Sequence, residues 1–295
     1  MKCITGKRGV GMACKEGRRI RGGSPMDAVF PFITPSKVGA ANSFFASIDI
    51  SKCEDFIRDK RAEGMTGLGM MHLFMASYVR VVSQLPGINR YIRGQRLYAR
   101  NNIQICMAIK KQLRLNAPES VIKLFFSPHD TLTTVYHSLC KELEENKKEG
   151  DQNGMDTVAR ILIAFPRIIL KLVVFLFKAL DYFGLLPRFL TNVSPFHGSM
   201  FISNLGSLGM PPVSHHLYDF GNLPVFITMG AKRTEYVLGN NGELEKRRVI
   251  DCTFVCDDRI CDGHYYASAF KLFRKLLENP EQLFTPPQTV VEDIR

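Results

Sequence analysis

The sequence predicts a mixed α/β protein, because strand-like and helix-like patterns both occur along the chain. Ser43–Ile50 alternates polar and apolar side chains as a strand does, and Ile103–Lys110 and Val121–Phe126 are also predicted strands. Met70–Gln84 is a predicted helix that ends near Pro86-Gly87. The 295 residues, 45% of them hydrophobic and 23% charged, suit one large soluble domain or two small ones.

Charge and cysteine content narrow the class of protein. The formal charge of +11 favours an anionic partner, such as nucleic acid, an anionic membrane or a phosphate-bearing ligand. We expect no nucleic-acid partner, because the chain has no RRM, zinc-finger or helix-turn-helix signature and no Trp. The eight scattered cysteines predict reduced thiols and hence a cytoplasmic location. Residues 1–23 are basic and lack an apolar segment, so we expect no secretory signal.

Local signals predict where several elements begin and pair. Three prolines predict an irregular chain over residues 1–40. Ser51 and Glu54 have the spacing of a capping box, which predicts a helix with Ser51 as its N-cap. Tyr236–Leu238 is expected to pair with Arg248–Val255 across an Asn-Asn-Gly turn.

A long segment between Val158 and Leu186 is almost wholly apolar. Its cations fall at spacings that place them on one face of a helix: Arg160, Arg167, Lys171 and Lys178. Pro166 is expected to kink or restart this helix, and the cations argue against a transmembrane span. Three interpretations are open. The segment is a helix buried against the body or a neighbouring subunit with its basic edge in solvent, a membrane-surface helix whose cations snorkel, or a wall for a long acyl chain.

A polar turn near the C-terminus connects a predicted strand to a predicted helix, Tyr265–Leu277, with Asp262-Gly263 at the turn. Polar groups on a loop between rigid elements often carry chemistry, although an acidic surface turn has the same appearance. Three cysteines and one histidine lie close together here: Cys252, Cys256, Cys261 and His264. Their spacing matches no usual zinc-ligand pattern, so we expect no metal.

Two motifs in the last third of the chain are specific. Phe201–Gly206 and Cys256–Gly263, followed by a helix that ends at Leu276–Pro280, resemble the catalytic domain of the 2-oxoacid dehydrogenase E2 acyltransferases. That domain shares its fold with chloramphenicol acetyltransferase. Ala46–Ile50 resembles the family's early strand, and Leu85–Asn89 resembles its P-x-x-N turn.

The resemblance covers roughly residues 15–285 and implies a two-layer α/β fold, an α+β sandwich with a mixed sheet and helices on one face. It also implies a homotrimer with sites between subunits and a coenzyme A thioester as substrate. We expect a single domain over 1–285, an apolar helical insertion at about 157–190, and a mobile tail over 286–295. No lipoyl domain precedes the resemblance, so we expect no lipoyl group on this chain.

The resemblance assigns roles to individual residues. In the family's motif H-R-V-x-D-G the His is the general base, and the matching residue here is Asp258, followed by Arg259. Asp262, before Gly263, matches a structural Asp that pairs with an Arg. Arg18, Arg19 or Arg21 is expected to supply that partner. Ser203, before Asn204, matches the hydroxyl that hydrogen-bonds the oxyanion, a contact worth about 3 kcal/mol.

Asp258 is a large departure from the family pattern. A carboxylate is a weaker base than a thiolate by roughly 4.6 pKa units, a mismatch of about 6 kcal/mol for full proton transfer from a thiol. Burial and the adjacent Asp257 could raise the pKa of Asp258. His264 and the pair His215-His216 are the alternative bases, and each is more often a surface or packing histidine.

Two functions from different classes follow from these observations. The first is an acyltransferase that moves an acyl group from a CoA thioester to an unknown acceptor, with basic residues binding the CoA phosphates. The second is a non-catalytic trimeric binding or scaffold protein, because the family's base is replaced by Asp258. A peripheral location on an anionic membrane through residues 158–186 is compatible with either.

Overall fold

The computed structural model describes residues 16–110, 119–148, 163–239 and 242–295. The strands within these ranges are β1 Gly17–Arg19, β2 Ala41–Asp49, β3 Arg90–Arg93, β4 Arg96–Arg100, β5 Ile103–Lys110, β6 Glu119–Phe126, β7 Met200–Asn204, β8 Val225–Leu238 and β9 Leu244–Asp257. The helices are α1 Pro25–Ile33, α2 Ser51–Ala62, α3 Met70–Gln84, α4 Leu132–Lys148, α5 Arg167–Tyr182, α6 Arg188–Val193 and α7 Gly263–Glu278.

The described strands form two sheets. The larger sheet has the order β2-β9-β8-β7-β5-β6, and the smaller one has the order β1-β4-β3. Strand β7 runs parallel to both of its neighbours, whereas the other pairs are antiparallel. The larger sheet is therefore mixed, as the resemblance implied.

The main core lies between the larger sheet and the helices. Helix α3 is apolar on nearly all sides, which is typical of a buried helix, and it packs on α4 and α7. The opposite face of the sheet carries a smaller apolar cluster around Phe201, Phe226 and Val255. Leu217 and Leu223 cover this cluster from the loop before β8. Helices α2, α3, α4 and α7 thus lie on one face of the sheet. On the other face, where the loop covers part of the sheet, the Lys123 amine donates to the carbonyl of Thr191 in α6 (2.6 Å).

Some local predictions are wrong. Helix α2 begins at Ser51, but Ile50 is its N-cap and no side chain caps it. The Ser51 hydroxyl instead accepts a hydrogen bond from the backbone N–H of Arg248 (2.9 Å), because β9 passes beside the helix start. The N-terminal region contains helix α1, since a proline fits its first turn and Ser24 caps it.

The β8–β9 hairpin differs in register from the prediction. Strand β8 continues without interruption to Leu238, so Tyr236 lies opposite Lys246 and Leu238 opposite Leu244. The predicted partner of this segment, Arg248–Val255, pairs instead with earlier residues of β8. A bulge between Met229 and Lys232 shifts the pairing of the earlier residues by one. The predicted pairing was wrong because β9 begins directly after the turn, at Leu244, where residues 244–248 are mostly charged and lack the alternation of a strand.

The C-terminal residues lie against the body, which differs from the mobile tail that we expected. Arg90 Nε donates to a carboxylate oxygen of Asp293 (2.8 Å), and Arg18 Nη1 donates to the carbonyl of Ile294 (2.9 Å). The backbone N–H of Val291 donates to the carbonyl of Ser83 (2.9 Å). These bonds connect the last residues to β1, α3 and β3.

Helix α5 begins after Pro166, as the restart prediction required. Its C-terminal end is fixed to the body: Asp181 hydrogen-bonds His197, and the Tyr182 hydroxyl donates to Gln95 (2.9 Å). Arg160, which we placed on the basic edge, lies outside the described residues. Within the described part of the chain, no helix has the length and apolar character needed to cross a membrane.

Candidate active site

The turn between β9 and α7 is held by a buried ion pair. Arg259 Nε donates to Asp257 Oδ1 and Arg259 Nη2 donates to Asp257 Oδ2, both at 2.8 Å, and both side chains are almost completely buried. Arg259 Nη1 also donates to the carbonyl of Pro35 (2.8 Å). Such a two-pronged contact fixes orientation as well as distance. The pair therefore connects the end of β9 to the segment after α1.

Asp258 lies between these two locked residues. Its backbone N–H donates to the carbonyl of Ala40 (2.9 Å), and the residue is half-buried. Among the described residues, its carboxylate has no hydrogen-bond or ion-pair partner. The carboxylate is consequently free to accept a hydrogen bond from a substrate.

Asp262 does not make the predicted pair with Arg18, Arg19 or Arg21. It is the exposed N-cap of α7, and its Oδ1 accepts the N–H of Tyr265 (2.8 Å). Arg18 instead donates to backbone carbonyls of the C-terminal residues. The prediction was wrong because an Asp before a helix start is held most simply by capping. The buried Asp–Arg pair of this motif is Asp257–Arg259.

Ser203 lies near the end of β7 on the sheet face opposite the helices, because it shares a face with Phe201. The residue is half-buried, and its hydroxyl has no hydrogen-bond partner in the part of the chain that is described. Asn204 follows it, exposed, at the strand end. A free hydroxyl on an open sheet face is compatible with the predicted role as a donor to an oxyanion.

The register separates Ser203 from Asp258 within one protomer. Ser203 lies opposite Thr228, which lies opposite Thr253 on β9. Asp258 is five residues beyond Thr253, a distance of about 17 Å along the strand direction. Two strand spacings add about 10 Å across the sheet. One chain therefore does not bring the two predicted catalytic residues together.

The histidine candidates occupy different places. His264 is exposed in the first turn of α7, and its carbonyl accepts the Ser268 hydroxyl (3.0 Å). His215 stacks on Phe226, with ring centroids 4.1 Å apart, and on His216 at 4.7 Å. Phe226 is directly opposite Phe201 in the sheet. The structure therefore brings His215 to the same sheet face as Ser203, with a packing role that its stacking explains.

The cysteines around the motif are poor nucleophiles. Burial raises the pKa of the Cys256 thiol well above its usual range, and the carboxylates of Asp257 and Asp258 add to this effect. Burial also raises the pKa of Cys261 to about 12. Both thiols therefore stay protonated at neutral pH. Among the described residues, no group of three or more His, Cys, Asp or Glu side chains is placed to hold a metal ion.

A buried polar network that sequence reasoning missed lies beside this region. Arg93 Nη2 contacts Glu16 (2.6 Å) and Asp181 (3.7 Å), and Asp181 contacts His197 Nε2 (3.2 Å). Burial alone would raise the pKa of Glu16, but Arg93 and Arg100 outweigh it and hold that pKa at about 2. These residues are far apart in sequence, so no local spacing identified them. The network connects the end of α5 to the smaller sheet.

Comparisons with known proteins show which folds this chain is similar to. The sequence model of the 2-oxoacid dehydrogenases acyltransferase (catalytic domain) family matches residues 191–285. The fold is similar to Azotobacter vinelandii dihydrolipoamide acetyltransferase, with a TM-score of 0.59, 15% identity, and coverage of 95% of this chain and 99% of that chain. It is also similar to chloramphenicol acetyltransferase, with a TM-score of 0.51, 13% identity, and coverage of 86% and 96%.

A third similar structure is a truncated catalytic core of the 2-oxoacid dehydrogenase multienzyme complex from Thermoplasma acidophilum. Its TM-score is 0.55, with 12% identity and coverage of 88% of this chain and 98% of that chain. No curated protein sequence matches the chain significantly. The predicted resemblance and fold class are confirmed: the chain has the fold of the E2 and chloramphenicol acetyltransferases, and residues 191–285 match the 2-oxoacid dehydrogenase acyltransferase catalytic domain.

Proposed function

We propose that this chain is an acyltransferase that works as a homotrimer and transfers an acyl group from a CoA thioester to an acceptor. The observation that carries the proposal is the position of Ser203 and Asp258, which belong to the family's two motifs and lie far apart in one protomer. A second subunit has to bring them together across an interface. In the similar Azotobacter enzyme, a serine, a histidine and an asparagine have been studied for their role in the catalytic mechanism.

The uncovered part of the larger sheet supports assembly. Phe45 on β2 is 62% exposed and lies opposite Thr253, in the same row of the sheet as Ser203. A second subunit that packs on this face would remove the Phe45 ring from water, which favours association. One of the similar structures is the cubic core of the pyruvate dehydrogenase multienzyme complex.

The proposed chemistry divides between the two motifs. The Ser203 hydroxyl donates to the oxygen that becomes negative during acyl transfer. The Asp258 carboxylate of a neighbouring protomer accepts a hydrogen bond from the attacking group and takes its proton. The attacking atom bonds to the thioester carbonyl carbon, the carbon–sulfur bond breaks, and CoA leaves as a thiol that carries this proton. Because the mismatch with a thiol is about 6 kcal/mol, an Asp base requires either a raised pKa in the assembled site or a more acidic acceptor.

The experiment is acylation of small thiols and amines that depends on acyl-CoA, with the natural protein, Asp258→Ala, Asp258→His and Ser203→Ala. We expect turnover by the natural protein and its loss in Asp258→Ala and Ser203→Ala. Asp55→Ala is the matched control, because Asp55 is an exposed residue on α2 and should leave turnover unchanged. Turnover that survives Asp258→Ala and disappears in His264→Ala would identify His264 as the general base.

The second candidate is a trimeric scaffold that kept the fold and lost the base, and Asp258 in place of the family's His favours it. In that event only Asp258→His has activity, while the natural protein still sediments as a trimer. Failure of the natural protein to bind CoA at millimolar concentration would contradict the acyltransferase proposal and leave the scaffold.

We also propose that helix α5 rests on an anionic membrane surface. Ile168, Leu172 and Phe175 are 84%, 66% and 68% exposed and form one apolar face, and the cations Arg167 and Lys171 lie along its edge. This arrangement is typical of a helix that lies in the membrane interface. The protein's charge of +11 has the sign that anionic lipids attract.

Sedimentation with vesicles tests the membrane proposal. Each cation near an anionic surface contributes about 1 kcal/mol, so Arg167→Glu with Lys171→Glu should weaken binding to phosphatidylserine vesicles at least about 30-fold. Arg58→Glu, an exposed cation on α2, should have little effect. No binding at low salt, or equal binding to neutral phosphatidylcholine vesicles, would contradict the proposal. A larger oligomer that loses its size in Phe175→Ser would assign this face to another copy of the chain.

A further inference from the structure

An apolar cavity lies beneath the exposed helix α5. Its volume is about 260 Å³, and Val174 and Phe177 of α5 form one side of it. Leu190 and Val193 of α6 form another side, and Phe196 closes it from the body. A cavity with such a lining disfavours water, because water there would find few hydrogen-bond partners. The lining is suited to an apolar ligand.

A second, polar cavity of about 150 Å³ lies next to the first. Four cations line it, Lys37, Arg93, Lys178 and Arg259, against the two carboxylates of Asp181 and Asp219. Arg93 and Arg259 are already paired with Glu16 and Asp257, which leaves Lys37 and Lys178 as the lining cations that make no ion pair among the described residues. Burial lowers the pKa of Lys37 to about 8 against the opposing effect of Asp257, so this lysine is still mostly charged at neutral pH. Arg259 is adjacent in sequence to Asp258.

The two cavities share part of their walls. Lys178 and Phe220 line both of them. Asp181 of the polar cavity and His197 of the apolar cavity hydrogen-bond each other (3.2 Å). Lys178 is exposed and has no ion-pair partner among the described residues. A cation without an ion-pair partner in the described chain therefore lies at the junction of a polar cavity and an apolar one.

We propose that the two cavities form one binding site for an acyl chain attached to an anionic head group. The chain lies in the apolar cavity, and the head group contacts Lys178 and the polar cavity. An apolar cavity of about 150 Å³ accommodates benzene, which has six carbons, so in proportion 260 Å³ accommodates a chain of about ten carbons. A fatty acid, an acyl phosphate ester and an acyl thioester share this chemistry.

If the protein is an acyltransferase as proposed, this site makes the transferred group a medium-length acyl chain. This part of the inference rests on the proposed function. Binding itself does not depend on turnover. Each methylene that enters an apolar cavity strengthens binding about fourfold. Affinity should therefore rise steeply with chain length and level off near ten carbons.

Titration calorimetry on the full chain with CoA, acetyl-CoA, octanoyl-CoA and decanoyl-CoA measures this dependence. We expect decanoyl-CoA to bind at least 100-fold more tightly than acetyl-CoA. Decanoate and decyl phosphate carry the same chain on an anionic head group without CoA. Their binding tests whether a simple anionic amphiphile occupies the site or whether CoA itself is required. Equal binding of CoA and decanoyl-CoA would overturn the acyl-chain site and leave the acyltransferase proposal standing. Binding of decanoate without any binding of CoA would support the site and count against that function.

Two matched pairs of variants locate the site. Val193→Trp fills the apolar cavity, whereas Phe189→Trp changes an exposed residue of the same helix that does not line it. We expect at least tenfold weaker decanoyl-CoA binding for the first and no change for the second. Lys178→Met should weaken binding of decanoate and decyl phosphate more than Lys171→Met, since Lys171 lines neither cavity. Equal effects within both pairs would overturn the proposal. The four substituted residues are exposed, so we expect the variants to fold.

Discussion

Replacing Arg259 by methionine tests whether the buried ion pair organises the candidate active site. The change removes the guanidinium and leaves Asp257 as an uncompensated buried charge, because that carboxylate is only 2% exposed. Breaking a buried pair from one side costs about 3–5 kcal/mol. The variant also loses the bond to the carbonyl of Pro35, so we expect the upper half of that range. That loss is a large fraction of the stability of a typical domain.

Urea denaturation followed by circular dichroism measures this loss, because urea does not screen charges. The control is Arg233→Met, since Arg233 Nε contacts Asp251 at 2.9 Å but its side chain is 42% exposed. An exposed pair contributes about 0–1 kcal/mol, so the control should change little. Arg259→Met with Asp257→Asn should recover part of the loss, because no buried charge is then left. Equal small effects of Arg259→Met and Arg233→Met would refute the reasoning.

Two further predictions concern the surroundings of the site. Arg93 and Arg100 hold the pKa of Glu16 at about 2 instead of 4.5. Its ionised carboxylate therefore stabilises the fold by about 3 kcal/mol above pH 4.5. This contribution disappears as the pH falls to 2, because the carboxylate is then protonated in the folded state as well. Glu16→Gln should therefore lower the free energy of unfolding at pH 7 by about that amount, and a difference unchanged at pH 2 would contradict it. Asp262→Ala should cost about 1 kcal/mol through loss of the bond to Tyr265, whereas Asp262→Asn should keep most of it. Equal losses in a thermal melt would argue against capping.

The sequence predicted those parts of the fold that depend on local pattern. Helix α3 and strand β5 have the predicted limits, because a largely apolar segment bounded by polar or turn-forming residues specifies both ends. The pairing of β8 with β9 was predicted with the wrong register. The first residues of β9, 244–248, are mostly charged and lack the alternation of a strand, so the pattern placed the start of this strand too late.

The sequence motifs indicated which residues form the candidate site, but they did not predict the contacts that these residues make. The motifs drew attention to Ser203, Asp258 and Arg259, whose catalytic roles stay predictions, but the Asp that pairs with Arg was assigned to 262 instead of 257. Acidic residues lie on both sides of Arg259, and only burial at the end of β9 identifies Asp257 as its partner. The network around Glu16 and the two adjoining cavities depend on contacts distant in sequence, so no motif could identify them.

Asp258 differs from Asp257 and Arg259 because its side chain makes no structural contact among the described residues. Its catalytic role can therefore be tested without disturbing the fold. Its backbone N–H is bonded to the carbonyl of Ala40, and the residues before and after it carry the ion pair, so no structural contact in the described chain depends on its carboxylate. Substitution there should consequently change stability by less than about 0.5 kcal/mol, as for other surface positions. Any change in turnover on Asp258→Ala or Asp258→His then reports proton transfer in the assembled site rather than damage to the turn.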